Sequence, residues 1–311
     1  MSGGKPNAQL LLGIALFIAL IVLVHTYIGW SELLKPWASL PLPALLGATA
    51  LVIFSYLLRA IRLYDYFRAD MAQPGAFAMA FKLMLQHNLL NNLLPMRSGE
   101  ISFPVLMARY FSVPVSRSVP ALLWFRILDL HALGLIALFA IGSVWLGAVP
   151  LVLTVAVWLT LPWWLFVFHT RLADHLQNRS PGRTGALTVK ALNALPQTRQ
   201  AFFRSYGWTV ANWLIKLAAF AGVLAMFIDT DIKLAAALLG VIGGELTSIL
   251  PIHGVAGAGT YEAGVMAGLT PSGTPPATAL AAAVNLHLFL LGVCVIGGVL
   301  SLSLGRRHGA R

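Results

Sequence analysis

Charged side chains stand inside long apolar stretches of this sequence, where each needs either a partner or a role. Six of them are the clearest cases: Arg97, Glu100, Arg126, Asp129, Glu245 and Glu262. An Arg, Lys or Asp side chain at the centre of a membrane helix costs roughly 2.5–3.5 kcal/mol on insertion scales. We therefore expect these six side chains to turn away from lipid, and either to pair with one another or to bind a polar ligand.

Spacing suggests what some of these charges do. Arg126 and Asp129 are three residues apart, which places them on one face of a helix where they can form an ion pair. Arg97 stands next to a Pro and Gly break and close to Glu100. A guanidinium fork suits bidentate binding of phosphate. Lys216 offers a second contact for an anionic group, or a partner for Glu245 or Glu262.

The composition places the chain among multi-pass membrane proteins. It has 311 residues, of which 59% are hydrophobic and only 10% are charged. Soluble domains are typically about 45–50% apolar and about 25% charged, so an ordinary soluble protein is excluded. The formal net charge is +11, but the basic residues flank apolar segments. That pattern indicates membrane topology and anionic lipid surfaces rather than nucleic acid.

Six segments are apolar and long enough to cross a bilayer, since a core of about 30 Å needs roughly 20 residues of helix. The predicted spans are 10–29, 42–58, 119–147, 149–168, 207–228 and 277–304. The sequence therefore predicts an all-α polytopic membrane protein that forms a single transmembrane domain over 1–311.

Two further apolar segments, 76–112 and 234–269, are interrupted by Pro and Gly in their middles. Lys and Arg counts in the flanking loops place both termini and the basic loop 169–206 in the cytoplasm. The six spans alternate correctly only if each interrupted segment starts and finishes on one side. We therefore predict two re-entrant helical hairpins.

The two breaks resemble each other. The first contains Pro95, Gly99 and Glu100, and the second contains Pro251, Gly257, Gly259 and Glu262. We predict inverted repeats over 42–147 and 207–304, although Pro and Gly are common in membrane helices and chance similarity is the alternative. Non-helical backbone at this depth must be buried in protein or line a cavity. Gly257 and Gly259 permit positive φ and close backbone approach, and we expect the N-terminus of a helix that begins after each break to attract anions.

The run NNLLPMRSGEISFPVLMARY, followed by LLWFRILDL, resembles the transmembrane region of lysylphosphatidylglycerol synthases, and LPIHGVAGAGTYEAG is similar to that family's C-terminal signature. The resemblance implies a lipid-translocating domain, like the flippase half of the multiple peptide resistance factor. Its motif positions fall on these residues: Pro95, Arg97, Gly99, Glu100, Arg126, Asp129, Pro251, Gly257, Gly259 and Glu262. The soluble synthase domain is not part of the sequence, so we expect no lysine transfer from this chain.

These observations favour a translocase that moves an anionic or phosphate-linked lipid between the leaflets of a bacterial-type inner membrane. We expect no catalytic residue, no metal and no cofactor. One alternative is a membrane enzyme that acts on a lipid head group, for which the carboxylates could serve in acid–base chemistry. Another is a partner subunit of a glycosyltransferase or synthase. The sequence leaves the cargo, the energy coupling and the oligomeric state open.

Overall fold

The computed structural model describes residues 8–179, 189, 192, 195–196, 198–228, 232–247 and 255–304. All regular structure in these residues is helical, and they contain no strand. The chain is an all-α polytopic membrane protein, as the sequence predicts.

Eleven α-helices are described: α1 (Ala8–Tyr27), α2 (Trp30–Ser39), α3 (Leu42–Tyr66), α4 (Ala76–Leu93), α5 (Ser102–Phe111), α6 (Val115–Trp145), α7 (Ala148–Arg179), α8 (Arg199–Met226), α9 (Leu234–Thr247), α10 (Thr260–Leu269) and α11 (Pro276–Ser303). Short 3-10 helices cover Pro95–Ile101, Val255–Gly257 and Thr270–Ser272.

Five of these helices are long and apolar enough to cross a membrane, namely α3, α6, α7, α8 and α11. The pair α1 and α2 becomes the sixth span if it is counted as one, and it is bent by 82° between Tyr27 and Trp30. Five of the six predicted spans are therefore present, and the sixth is present if the bent pair is one span. Their ends differ: α3 runs on to Tyr66, and α7 and α8 extend into the predicted basic loop from both sides.

The first interrupted segment, 76–112, consists of α4, a 3-10 helix and α5. Leu94 has extended backbone, because the residue before a proline is pushed out of the helical region, and this ends α4. Gly99 then lies against α4, where an added Cβ would stand 2.4 Å from the carbonyl oxygen of Leu90. Only glycine permits that approach of the two backbones.

The second interrupted segment, 234–269, is an antiparallel pair of short helices. A Cβ on Gly243 would lie 2.1 Å from the Gly264 carbonyl oxygen, and a Cβ on Gly268 would lie 2.1 Å from that of Leu239. Glycine therefore brings the two backbones into direct contact. At 1.5 Å per residue the helices are about 21 Å and about 15 Å long. Neither alone spans a core of about 30 Å, which agrees with a re-entrant hairpin.

Close contacts divide the chain into two compact units. Unit 1 comprises Met1–Phe54, Leu85–Ser102 and Ile215–Ser303. It holds both breaks, and the 3-10 helix Pro95–Ile101 contacts the 3-10 helix Val255–Gly257. The described parts of the two breaks therefore lie together within unit 1.

Unit 2 comprises Ser55–Met84, Phe103–Leu214 and Leu304–Arg311. Its core is large and aromatic, with Phe67, Phe103, Trp124 and Phe202 among its fully buried side chains. Helix α7 lies at its edge, since only 11% of its apolar window is buried. Most of the apolar side chains of α7 are therefore available to lipid.

Candidate functional site

The carboxylate of Asp129 is the centre of a buried charged cluster in unit 2. Helix α6 carries both Asp129 and Arg126, and Nη1 of Arg126 lies 3.4 Å from Oδ2 of Asp129. The predicted pairing of these two residues is confirmed. The side chain of Asp129 is only 4% exposed, so its carboxylate lies inside the protein, whereas the side chain of Arg126 is 25% exposed.

Helix α3 supplies two further arginines to the same carboxylate. Nη1 of Arg62 lies 2.8 Å from Oδ1 of Asp129, and Nη2 of Arg59 lies 3.4 Å from Oδ2. The predicted span ended at residue 58, before both arginines, which is wrong. The helix continues to Tyr66. Arg59 and Arg62 are about one helical turn apart, so both side chains point inward from the same face of α3.

Helix α8 completes the cluster with neutral hydrogen-bonding groups. Nε1 of Trp213 donates to Oδ1 of Asp129 at 3.1 Å, and Nη1 of Arg62 donates to the hydroxyl of Thr209 at 2.7 Å. The ring of Phe125 lies 4.5 Å from the guanidinium carbon of Arg62. Three helices therefore converge on one carboxylate, and we call this group of residues the Asp129 centre.

The Asp129 centre carries more positive than negative charge. Three guanidinium groups surround one carboxylate, which leaves a formal charge of +2 on these four side chains. Within the described part of the chain, Nε of Arg59 and Nε of Arg62 are buried and have no hydrogen-bond acceptor. Buried donors without acceptors are rare in folded proteins. The arrangement can therefore accept an anion that has several oxygen atoms.

Lys216 and Glu245 form a separate ion pair in unit 1. Nζ of Lys216 lies 2.8 Å from Oε2 of Glu245, and both side chains are about nine-tenths buried. The ammonium also lies 5.2 Å from the ring centroid of Phe220. Of the two partners that the sequence offered for Lys216, the structure selects Glu245.

Glu262 is bonded on both of its carboxylate oxygens. Oε2 accepts the backbone N–H of Gly259 at 2.7 Å, and Oε1 lies 2.6 Å from Nδ1 of His287. The N-terminus after this break was predicted to attract an external anion. Instead the carboxylate of Glu262 caps its own helix α10, because a negative charge is stabilised at a helix N-terminus. Gly257 and Gly259 have φ of 84° and 83°, a backbone conformation that glycine permits.

The first break is described in part. Glu100 is half-buried in its 3-10 helix, and Gly99 packs against α4. The side chains of Pro95 and Arg97 lie outside the described residues, as does Pro251 in the second break. The predicted role of Arg97 stays a prediction.

Among the predicted site residues, Arg126 lies with Asp129, Lys216 lies with Glu245, and Glu262 lies with His287. Four contributors to the Asp129 centre were not among the predicted site residues: Arg59, Arg62, Thr209 and Trp213. The three-residue spacing of the two arginines, in a stretch that stays helix-forming through Tyr66, was the available signal. Within the described residues, no group of three His, Cys, Asp or Glu side chains could hold a metal ion.

Comparison with known proteins gives one match. A family model described as the lysylphosphatidylglycerol synthase TM region matches residues 10–298, which is nearly the whole chain. No curated protein matches the chain.

Proposed function

The chain belongs to the lysylphosphatidylglycerol synthase TM region family, and we propose that it moves an anionic or phosphate-linked lipid between the two leaflets of a membrane. Membership in this family implies a multi-pass membrane protein with a role related to lipid modification or flipping. The Asp129 centre supports the narrower assignment, which is translocation.

The observation that carries the proposal is the crowding of Arg59, Arg62 and Arg126 around a single buried carboxylate. A structural ion pair needs one cation per anion, and additional buried cations add desolvation cost. A lipid phosphate would place additional negative charge beside these guanidinium groups. Its oxygen atoms would also supply acceptors for the buried Nε groups of Arg59 and Arg62.

In this proposal the protein carries lipid and is not an enzyme. The phosphate binds at the Asp129 centre while the acyl or isoprenoid tails stay in the bilayer. Asp129 keeps the arginines oriented when no lipid is bound, because a carboxylate that accepts from three guanidinium groups fixes their positions. The two re-entrant segments provide the change of access between the leaflets.

The proposal includes an orientation, in which both termini lie in the cytoplasm of a bacterial-type inner membrane. It is supported by the basic residues near the ends of the chain and in 171–204. Reporter fusions after residue 311 test this, since a cytoplasmic terminus gives activity only with a cytoplasm-active reporter.

Reconstitution tests the translocase directly. The purified full chain is placed in phosphatidylcholine vesicles that contain a trace of fluorescent phosphatidylglycerol, and an impermeant quencher reports the outer-leaflet fraction. We expect wild type to equilibrate the label and Arg62→Gln to slow it by about tenfold or more, since hydrogen bonds to charged groups contribute about 1.5–3 kcal/mol.

The matched control is Arg117→Gln, which removes an arginine from the exposed pair with Asp70 at 2.7 Å. Circular dichroism and gel filtration confirm that each variant is folded. Wild-type vesicles that behave like protein-free vesicles would refute the proposal, and so would equal rates for wild type and folded Arg62→Gln.

A further inference from the structure

We propose that the Glu262–His287 pair is a proton-binding site that couples lipid movement to a pH gradient. This inference rests on the proposed translocase function, but the proton site itself can be tested without any lipid movement. Nothing in family membership assigns an energy source to the chain.

The geometry of the pair allows it to hold a transferable proton. Nδ1 of His287 on α11 lies 2.6 Å from Oε1 of Glu262 on α10, and the two side chains are 7% and 2% exposed. The ring of Tyr261 covers the imidazole with a centroid distance of 4.6 Å. An imidazole is the side chain whose charge changes most readily near neutral pH. The pair is therefore a titratable unit shielded from bulk water.

The described charges around this site leave room for a proton. Tyr261 lies over the imidazole of His287, and the ionisable groups that act on Tyr261 are Glu245 on α9, Glu262 on α10 and Cys294 on α11. Lys216 on α8 pairs with Glu245. Among these described groups, a neutral His287 leaves the carboxylate of Glu262 as one buried negative charge. One added proton, on either His287 or Glu262, would neutralise that charge, and buried uncompensated charge is costly.

Asp129 is unsuited to the same task. Three guanidinium groups hold its carboxylate, and opposite charges at this distance favour the ionised form. Glu262 suits the task better, because its described partners are one imidazole and one backbone N–H.

The pair is positioned to change the shape of the second break. Oε2 of Glu262 accepts the N–H of Gly259 at 2.7 Å, so the same carboxylate that shares the proton also caps helix α10. An ionised carboxylate is the stronger acceptor and interacts with the helix dipole, and protonation weakens both interactions. The backbone next to this cap belongs to the 3-10 helix that contacts the first break. Proton exchange therefore acts on both breaks through one cap.

The cycle balances in protons and charge. The pair takes up one proton from the more acidic side, and an anionic lipid binds elsewhere in the protein. The two breaks then rearrange and expose the proton and the lipid to the other side of the membrane, where each is released. Lipid therefore travels in the direction of the proton, and the two charges offset each other.

The first experiment measures the proton at its site. The full chain labelled with nitrogen-15 histidine is studied in nanodiscs, and the signal of His287 is identified by its loss in His287→Asn. In wild type we expect the His287 signal to change with pH, and to respond differently in Glu262→Gln, because that variant removes the carboxylate that lies 2.6 Å from Nδ1. A His287 signal that is unchanged over about pH 5 to pH 8, the range of histidine switching, would overturn the proposal. A titration identical in Glu262→Gln would also do so.

The second experiment measures coupling. Vesicles containing fluorescent phosphatidylglycerol are assayed with and without an imposed pH gradient. We expect the gradient to accelerate wild type by about fivefold or more, within the usual range of coupling between sites. We expect Glu262→Gln and His287→Asn to lose this acceleration, measured for each variant as the ratio of its rate with the gradient to its own rate without the gradient.

His131→Asn is the control for loss of a buried histidine, since Nε2 of His131 bonds the carbonyl of Trp158 and no carboxylate in the described contacts. It should respond to the gradient like wild type. A gradient response retained in folded His287→Asn would refute coupling through this pair. If no variant and no wild type moves lipid, the translocase proposal fails, while the nitrogen-15 titration still decides the proton site.

Discussion

Nη1 of Arg62 lies 2.8 Å from Oδ1 of Asp129, and both side chains are at least 95% buried. The two residues come from α3 and α6, so this contact joins two membrane helices through charge rather than through apolar packing. The arrangement makes the aspartate more important for folding than any one arginine, because three guanidinium groups depend on it.

We expect Asp129→Asn to destabilise the protein strongly. The substitution leaves three arginines without their shared anion, and breaking a buried ion pair by removing one partner costs about 3–5 kcal/mol. The thermal midpoint of the purified protein in detergent measures the effect. Asp70→Asn, which breaks the exposed pair with Arg117, is the control and should shift the midpoint little. Equal shifts for the two variants would contradict this account of the Asp129 centre.

A second prediction concerns the contact between α9 and α10. Gly264→Ala places a methyl group 2.3 Å from the carbonyl oxygen of Gly243. This oxygen belongs to the backbone, so it cannot move aside as the end of a flexible side chain could. Overpacking of this kind costs about 1–3 kcal/mol or more, so we expect a lower folded yield by fluorescence-detected gel filtration. Gly292→Ala in α11 is the control, because nothing lies within 4 Å of its added Cβ. A normal elution profile for Gly264→Ala would show that the two helices can separate at no cost.

A third prediction separates backbone conformation from crowding in the second break. Gly259 has φ of 83°, and an added Cβ would lie 3.1 Å from the carbonyl oxygen of Leu16. Gly273 has φ of 73° with open space around it. Both Ala variants incur the penalty of roughly 1–2 kcal/mol for a left-handed backbone. We expect only Gly259→Ala to lose more stability than this penalty explains, seen as the lower thermal midpoint of the two variants. If the two variants melt alike, the contact with Leu16 is unimportant.

A fourth prediction tests the ion pair of unit 1. Lys216→Met leaves Glu245 buried without the ammonium at 2.8 Å, so we expect a clear loss of thermal stability. The double variant Lys216→Met with Glu245→Gln removes both charges and should recover much of that loss. A double-mutant cycle on the thermal midpoints isolates the pair. Additive losses would mean that the two charges do not interact.

The sequence predicted the helices well because apolar length and Pro or Gly interruptions are local signals. Both interrupted segments, their positions and the pairing of Arg126 with Asp129 could be read from spacing alone. Arg59 and Arg62 were misplaced for a physical reason. Arginines at the end of an apolar run are usually exposed to the cytoplasm, and only a partner on a distant helix, here Asp129, makes burial favourable.

His287 shows a second limit of the sequence. The segment 277–304 that contains it has no acidic residue, so the sequence indicates no charged partner for the imidazole. The carboxylate of Glu262 reaches it from another helix. Contacts of this type depend on how helices pack, and a single sequence carries no record of that packing.

The side chain of Asn285 has a consequence for how unit 1 can move. Its amide nitrogen donates to the carbonyl of Leu33 at 2.9 Å, and its amide oxygen accepts from Nε1 of Trp37 at 2.7 Å, so α11 is clamped to α2. Helix α2 is bent 82° away from α1 and exposes Glu32 and Lys35, as a helix at the membrane–water interface would. An interfacial α2 would hold α11 at a constant depth in the bilayer. Rearrangement of α11 would then be a rotation or a tilt, because sliding along the membrane normal would pull α2 out of the interface.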